Sequence, residues 1–170
     1  MLYIIGIIAV LFGVALDQYT KHLATIYLQE KPIVIIKDVF QLQYLENRGA
    51  AFGMLQNQQT LFLFVSTIAL ILITVVYIRL PKERRYVPLR FCLISIVAGA
   101  IGNMIDRIRL QYVVDFFYFE LIDFPIFNVA DIFASVATVA LIFLVLFYYK
   151  DEEFDVIFHT LKLKKEKTQE

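Results

Sequence analysis

Long apolar runs alternate with shorter polar intervals along this chain. Leu2 to Leu16 is apolar without interruption, and Leu61 to Ile78 is nearly so. Phe91 to about Ile105 mixes large and small residues, and about Val129 to Tyr149 has Asp131, Ser135 and Thr138 as its only polar side chains before the terminal tyrosines. Each run approaches the roughly 20 residues that cross a bilayer as a helix, so the pattern predicts four spanning helices. No lysine or arginine precedes the first run. It leads into Asp17-Gln18-Tyr19-Thr20-Lys21 rather than a small-residue cleavage site, which predicts an uncleaved helix.

The interval after the first run has another period. Ile33-Val34-Ile35-Ile36 is β-branched, Lys37-Asp38 suits a turn, and Val39 to Tyr44 alternates apolar with polar, predicting a small extramembrane sheet within about residues 30–58. Glu46-Asn47-Arg48-Gly49-Ala50-Ala51-Phe52-Gly53 follows, and its glycines permit tight turns or close approach of a ligand to the backbone. Taken alone, such a segment is more often an ordinary loop. In the third run Ser95, Ala98, Gly99 and Gly102 are spaced to let a neighbouring helix come close.

Composition strengthens the membrane reading, because 60% of the 170 residues are hydrophobic, above the roughly 45–50% of a soluble domain. The formal net charge of zero hides two basic clusters, Arg79 to Arg90 and Lys150 to Lys167. By the positive-inside rule both are cytoplasmic, which puts both termini inside and the Glu30–Gln58 and Asp106–Phe127 segments outside. The expectation is an all-α membrane protein: one four-helix domain over residues 1–150 carrying an extracytoplasmic β-sheet, with a cytoplasmic basic tail over 151–170. The clusters speak for topology and not for a nucleic-acid partner. Cys92 is the single cysteine, so no internal disulfide forms, and it reads as a small buried apolar residue. No internal repeat, phosphate loop, His-Glu-x-x-His motif or Ser-x-x-Lys pair is present, and His22 and His159 have no local ligand partners, so neither metal nor cofactor is expected.

This topology brings Asp17, Asn47, Asn103, Arg107, Asp115, Asn128 and Asp131 to one membrane level, although they are scattered over more than a hundred positions. Asp17 and Lys21, four apart, share a helix face and neutralise each other; a paired interfacial charge explains them as well as a catalytic role does. An aspartate in a membrane helix costs about 2.5–3.5 kcal/mol at mid-depth and less near the interface, so Asp131 in the first turn of the fourth helix is a functional candidate. Nucleophilic serine chemistry lacks a neighbouring base, whereas two carboxylates suffice for acid–base catalysis. When two approach closely they cannot both ionise: one keeps a proton while the other activates water. The residues alone leave the pair open among Asp106, Asp115, Asp123 and Asp131. Arg107 or another nearby base can hold Asp106, Asp123 sits in a loop, and solvation or capping explains an interfacial aspartate. Asn128 is placed to cap the fourth helix, where the dipole favours the charge of Asp131.

Four blocks carry a family resemblance: Asp17-Gln18-Tyr19-Thr20-Lys21; Glu46 to Phe52; Gly99-Ala100-Ile101-Gly102-Asn103-Met104-Ile105-Asp106-Arg107 with Val113-Val114-Asp115-Phe116; and Phe127-Asn128-Val129-Ala130-Asp131. In this order and between these runs, the chain resembles the lipoprotein signal peptidases, or signal peptidase II, over nearly its whole length. The resemblance implies an aspartic endopeptidase of the bacterial cell membrane with Asp115 and Asp131 as its dyad. It implies that Asn47, Gly49, Asn103, Arg107, Asn128 and Ala130 border the pocket, and that Asp17 and Lys21 support it. It further implies a sheet acting as a cradle over the membrane, a short lid-like helix after Glu46–Gly53, and an active site at the outer face. The implied substrates are prolipoproteins whose cysteine carries a diacylglyceryl group, cut just before that cysteine by a monomer working among membrane lipids. A four-helix proton-coupled carrier or channel is the alternative, though it would set charge deeper in the bilayer; a non-catalytic assembly factor is a third reading, which leaves the aspartates without purpose.

Overall fold

The computed structural model describes residues 2–49, 54–150 and 152–153. Its four long helices are α1 (Leu2–Tyr27), α2 (Gln59–Arg79), α3 (Val87–Leu110) and α4 (Val129–Phe143), the last prolonged by a π-helical turn over Leu144–Tyr148. Each, with α4 taken together with its π turn and α3 with the short 3₁₀ turn before it, is long and apolar enough to cross a membrane. Side chains such as Phe12, Phe64, Leu72 and Ile142 are exposed on their outer faces, as helices surrounded by lipid require. The predicted runs grow at their ends. α3 begins earlier than Phe91 because Pro88 sits in its first turn, where a missing N–H costs nothing. It runs on to Leu110 and stops at Gln111, whose φ of 65° turns the chain out of the helix.

α3 is the centre of the bundle and packs against each of the other three helices. The small residues expected to permit close approach do so. A side chain at Gly99 would meet the Ala130 carbonyl, and one at Gly102 would meet the Asp17 carboxylate and the Ala130 methyl. Two apolar clusters close the ends. Leu80, Tyr86, Leu89, Leu93 and Tyr149 pack where α2 turns into α3, while Ala24, Leu28, Val114 and Phe116 pack beneath the sheet.

The sheet has three strands, β1 (Ile33–Ile36), β2 (Phe40–Asn47) and β3 (Val113–Tyr118), antiparallel in that order. The first two are those the sequence predicts, joined by a turn in which Asp38 takes φ 57° and the Val39 N–H donates to Ile36 O at 3.1 Å. β3 is a finding: the sequence reading placed Val113–Tyr118 only in the outer Asp106–Phe127 segment, and they pair with β2 through Asn47↔Val113 and Leu45↔Asp115. Where a lid-like helix was expected after Glu46–Gly53, Met54–Asn57 form a turn before α2; residues 50–53 lie outside the described residues. The basic tail lies outside them too, apart from Glu152 and Glu153. Glu153 takes Arg85 at 2.9 Å, tying the end of the α4 segment to the α2–α3 loop.

Candidate active site

The site is built where α3, α4 and β3 meet, at the end of the bundle under the sheet. Asn128 caps α4 with its side chain accepting from the Asp131 N–H at 2.9 Å, while the Asp131 carboxylate accepts from the Asn128 N–H at 3.1 Å. This reciprocal cap fixes Asp131 in the first turn, as the sequence led one to expect. β3 supplies Asp115 from the opposite wall. Its Oδ2 accepts from Asn47 Nδ2 on β2 at 2.8 Å, and its Oδ1 accepts from Asn128 Nδ2 at 2.6 Å. Asn128 is therefore one hydrogen bond from each carboxylate. Asn103 closes the ring from α3: its Nδ2 donates to Asp131 Oδ1 at 2.8 Å, and its Oδ1 accepts from Asn128 Nδ2 at 3.1 Å. Asp115, Asp131, Asn47, Asn103 and Asn128 thus come together from four elements, while Asp123 stands apart in a surface turn and accepts from the Tyr118 hydroxyl at 2.8 Å.

Behind this ring lies a buried ionic centre. Lys21 is 3% exposed, and its ammonium has three donors. They meet three acceptors: Asp17 Oδ2 at 2.9 Å, Asp106 Oδ2 at 2.9 Å and Asn103 Oδ1 at 2.8 Å. The pairing of Asp17 with Lys21 agrees with their helical spacing. Of the two holders left open for Asp106, Arg107 is not its ion-pair partner; the other base is Lys21, joined by Gln18, whose Nε2 donates to Asp106 Oδ1 at 2.8 Å. Asp106 also accepts from the Val114 N–H at 3.2 Å, next to Asp115, and Asp17 Oδ1 accepts from the Ala130 N–H at 2.9 Å, next to Asp131. The two buried acids of this centre therefore hold the backbone beside Asp115 and Asp131. Ala130 is itself fully buried, so its link to the site runs through that N–H and through its methyl against Gly102.

Gln18 and the Val114 amide are the members the sequence reading missed, and Asp106, considered there as a dyad candidate, belongs instead to the ionic centre. Gln18 and Asp106 stand inside two of the quoted blocks, yet nothing in the linear order joins positions 88 residues apart. Asn47 and Gly49 form a side-chain turn, with the Gly49 N–H donating to Asn47 Oδ1 at 3.0 Å, which orients Asn47 toward Asp115. Arg107 lies at the rim with its guanidinium 4.7 Å over the Phe62 ring; its Nη1 donates to Asn103 O at 3.4 Å, and its buried Nε has no acceptor among the described residues.

The electrostatics separate the two carboxyls. Asp115 is 1% exposed, whereas Asp131 is part-exposed. Burial, and next the charge of Asp131, push the Asp115 carboxyl up to about 7, against the opposing pull of Asn47, Asn128 and Lys21. Near neutral pH this site can hold one exchangeable proton beside a carboxylate, the arrangement that activates water on one side and protonates a substrate oxygen on the other.

Comparison with known proteins agrees with this architecture. Residues 8–147 match the family model described as signal peptidase (SPase) II. The lipoprotein signal peptidase of Caldanaerobacter subterraneus subsp. tengcongensis is 47% identical over 146 residues, covering 84% of this chain and 96% of its own. That of Clostridioides difficile (strain 630) is 45% identical over 149 residues, covering 87% and 97%. A bacterial membrane enzyme solved by the in meso method at 2.3 Å resolution superposes with a TM-score of 0.73 at 31% identity, over 83% of this chain and 87% of that one. With its residues matched over nearly the whole bundle and its relatives matched over nearly their whole length, this chain belongs to the signal peptidase II family.

Proposed function

We propose that this protein removes signal peptides from diacylglyceryl-modified prolipoproteins, cutting just before the lipidated cysteine with water activated between Asp115 and Asp131. The observation that carries the mechanism is the junction at Asn128, from which one hydrogen bond reaches each of two carboxyls brought from β3 and α4. Asp131, the part-exposed partner, takes a proton from water, and the water oxygen attacks the scissile carbonyl carbon. Asp115 gives its proton to the carbonyl oxygen, so a neutral tetrahedral diol forms. Asp131 then returns its proton to the amide nitrogen, the C–N bond breaks, and Asp115 recovers a proton from a diol hydroxyl. Asn47, Asn103 and Asn128 hold the carboxyls for these transfers, with Lys21, Asp17 and Asp106 fixing their backbones. Gly49 and Arg107 border the space that the peptide enters, while Ala130 supports it from behind through its N–H to Asp17.

Membrane geometry favours such a substrate. The carboxyls sit at the mouth of the bundle and not at its middle, so a diacylglyceryl group can stay in the bilayer while the scissile amide reaches the interface. The same geometry speaks against the carrier, which needs charge along a path through the membrane: among the described residues α2 buries only Gln59, and α4 only Ala130 and Ala137. The proposal includes a monomer in the bacterial cytoplasmic membrane, termini inside and the dyad at the outer face, supported by the basic α2–α3 loop at the opposite end. The test is incubation of purified protein with a diacylglyceryl-modified precursor peptide and mass analysis of the products. A new N-terminus at the modified cysteine is expected; cleavage elsewhere, or none by folded protein, would overturn the proposal.

A further inference from the structure

At the end of the bundle away from Asp115 and Asp131, α1, α2 and α3 enclose a cleft of about 350 Å³, lined by Tyr3, Val10, Ile73, Tyr77, Ile94 and Val97 among others. A volume of this size lies within the roughly 300–1,000 Å³ of small-molecule sites, but the lining is almost wholly carbon. Its two tyrosines spend their hydroxyls on the main chain at the mouth: Tyr3 donates to Ile78 O and Tyr77 to Leu2 O, each at 3.4 Å. A polar ligand would leave its hydration there for nothing in return, whereas a hydrocarbon chain would not. The helices forming the cleft all qualify as membrane spans, and tyrosines at a mouth of this kind mark the depth of the headgroups.

The rim is basic. Lys82 Nζ stands 5.7 Å over the Tyr3 ring, and Arg79 ends α2 next to Ile78, which lines the cleft. Within the same loop Arg85 is engaged by Glu153, and Arg90 is buried against the carbonyls of Tyr77, Leu80 and Pro81. Arg79 and Lys82, by contrast, are exposed and in no ion pair among the described residues. We propose that this cleft binds an anionic phospholipid of the bilayer, with one acyl chain between α1, α2 and α3 and the phosphate between Lys82 and Arg79. An apolar slot ending in two free cations at headgroup depth matches that ligand at both ends, and an anionic headgroup gains from each cation near the surface. The inference does not depend on the reaction at the other end of the bundle.

Native mass spectrometry of the full chain, released from bilayers containing equal amounts of phosphatidylglycerol and phosphatidylcholine with matched acyl chains, tests it. The unmodified chain is expected to retain phosphatidylglycerol in preference. Arg79→Gln combined with Lys82→Gln should cut that retention roughly ten-fold, two cations being lost from the headgroup site. Lys37→Gln, in an exposed turn of the sheet at the other end, should leave it unchanged. Phosphatidylglycerol carrying a diazirine near the end of its chain should label peptides containing Val10 or Val97. Val97→Trp, which fills the cleft, should release the lipid; if that variant does not fold, the charge variants, checked by thermal melting, still decide. Equal retention of the two lipids, retention unaffected by the double charge substitution, or label spread over all four helices would overturn the proposal.

Discussion

At the scale of single residues, the dyad reading makes separable demands on three side chains. Asp115→Asn and Asp131→Asn keep shape but remove the exchangeable proton or charge, so each is expected to abolish processing in folded protein, a loss of about 10²–10⁴-fold or more. Asp123→Asn should retain substantial activity, because the Asp123 side chain bonds only to Tyr118 among the groups described and asparagine tolerates its φ of 47°. Cleavage assays on detergent-purified variants check all three. The proton on Asp115 gives a second prediction. Its carboxyl titrates at about 7 in the folded protein against about 3.9 unfolded, so the native state binds the proton more tightly, and stability falls as pH rises from about 4 through 7. Asp115→Asn lacks that penalty and should gain in melting temperature over the unmodified chain at pH about 8 but not at pH about 4. In cleavage the unmodified enzyme should lose rate as pH rises past about 7, with apparent values belonging to the pair. The candidate pair and its asparagines were legible in the motif blocks. Lys21 as holder of Asp106 was not, because a pairing between α1 and α3 leaves no trace in local spacing; what the sequence offers beside Asp106 is Arg107, whose side chain goes to Phe62 instead.

At the scale of elements, the site depends on how closely α3 approaches its neighbours. Gly102 lies where any side chain would strike the Asp17 carboxylate, a buried group held by Lys21 and the Ala130 amide and so unable to swing aside. Gly102→Ala should therefore cost roughly 1–3 kcal/mol of stability through overpacking, and it should lower cleavage as well, because the strain falls on the acid that fixes Ala130 next to Asp131. Thermal melts and rates measured on the same preparation check this; an unchanged melting point would mean that α1 and α3 can part freely. The four helices were readable because apolar length is a strong signal, and β1 and β2 because β-branching and alternation precede a turn. β3 was not. Val113-Val114-Asp115-Phe116-Phe117-Tyr118 has the β-branched and aromatic character of a strand, but only its pairing with β2, remote in sequence, makes it one. That pairing matters to function, since it faces Asp115 toward Asn47 at a fixed distance instead of leaving it on a free loop.

At the scale of the whole molecule, the polar network is gathered at one end of the bundle and the basic loop at the other, so the orientation in the membrane decides where the reaction occurs. Cysteines introduced at Lys37 and Lys82 test that orientation, and Cys92 adds little background because it is 4% exposed. A reagent confined to the outside is expected to label position Lys37 and spare position Lys82; the reverse would invert the topology. Orientation then bears on substrate choice. The described residues around Asp115 and Asp131 form a ring between three helices and a small sheet. On the proposed substrate, the part held in the bilayer would add to binding, each buried methylene contributing about 0.8 kcal/mol. A diacylglyceryl group would also hold the scissile amide at interface depth, turning a three-dimensional search into one confined to the membrane plane. An unlipidated precursor loses both advantages and is expected to be cleaved poorly or not at all under conditions where its lipidated form turns over readily. Matched concentrations of the two peptides in the same bilayers provide the measurement. Equal rates would show that peptide contacts alone bring the carbonyl to Asp115 and Asp131.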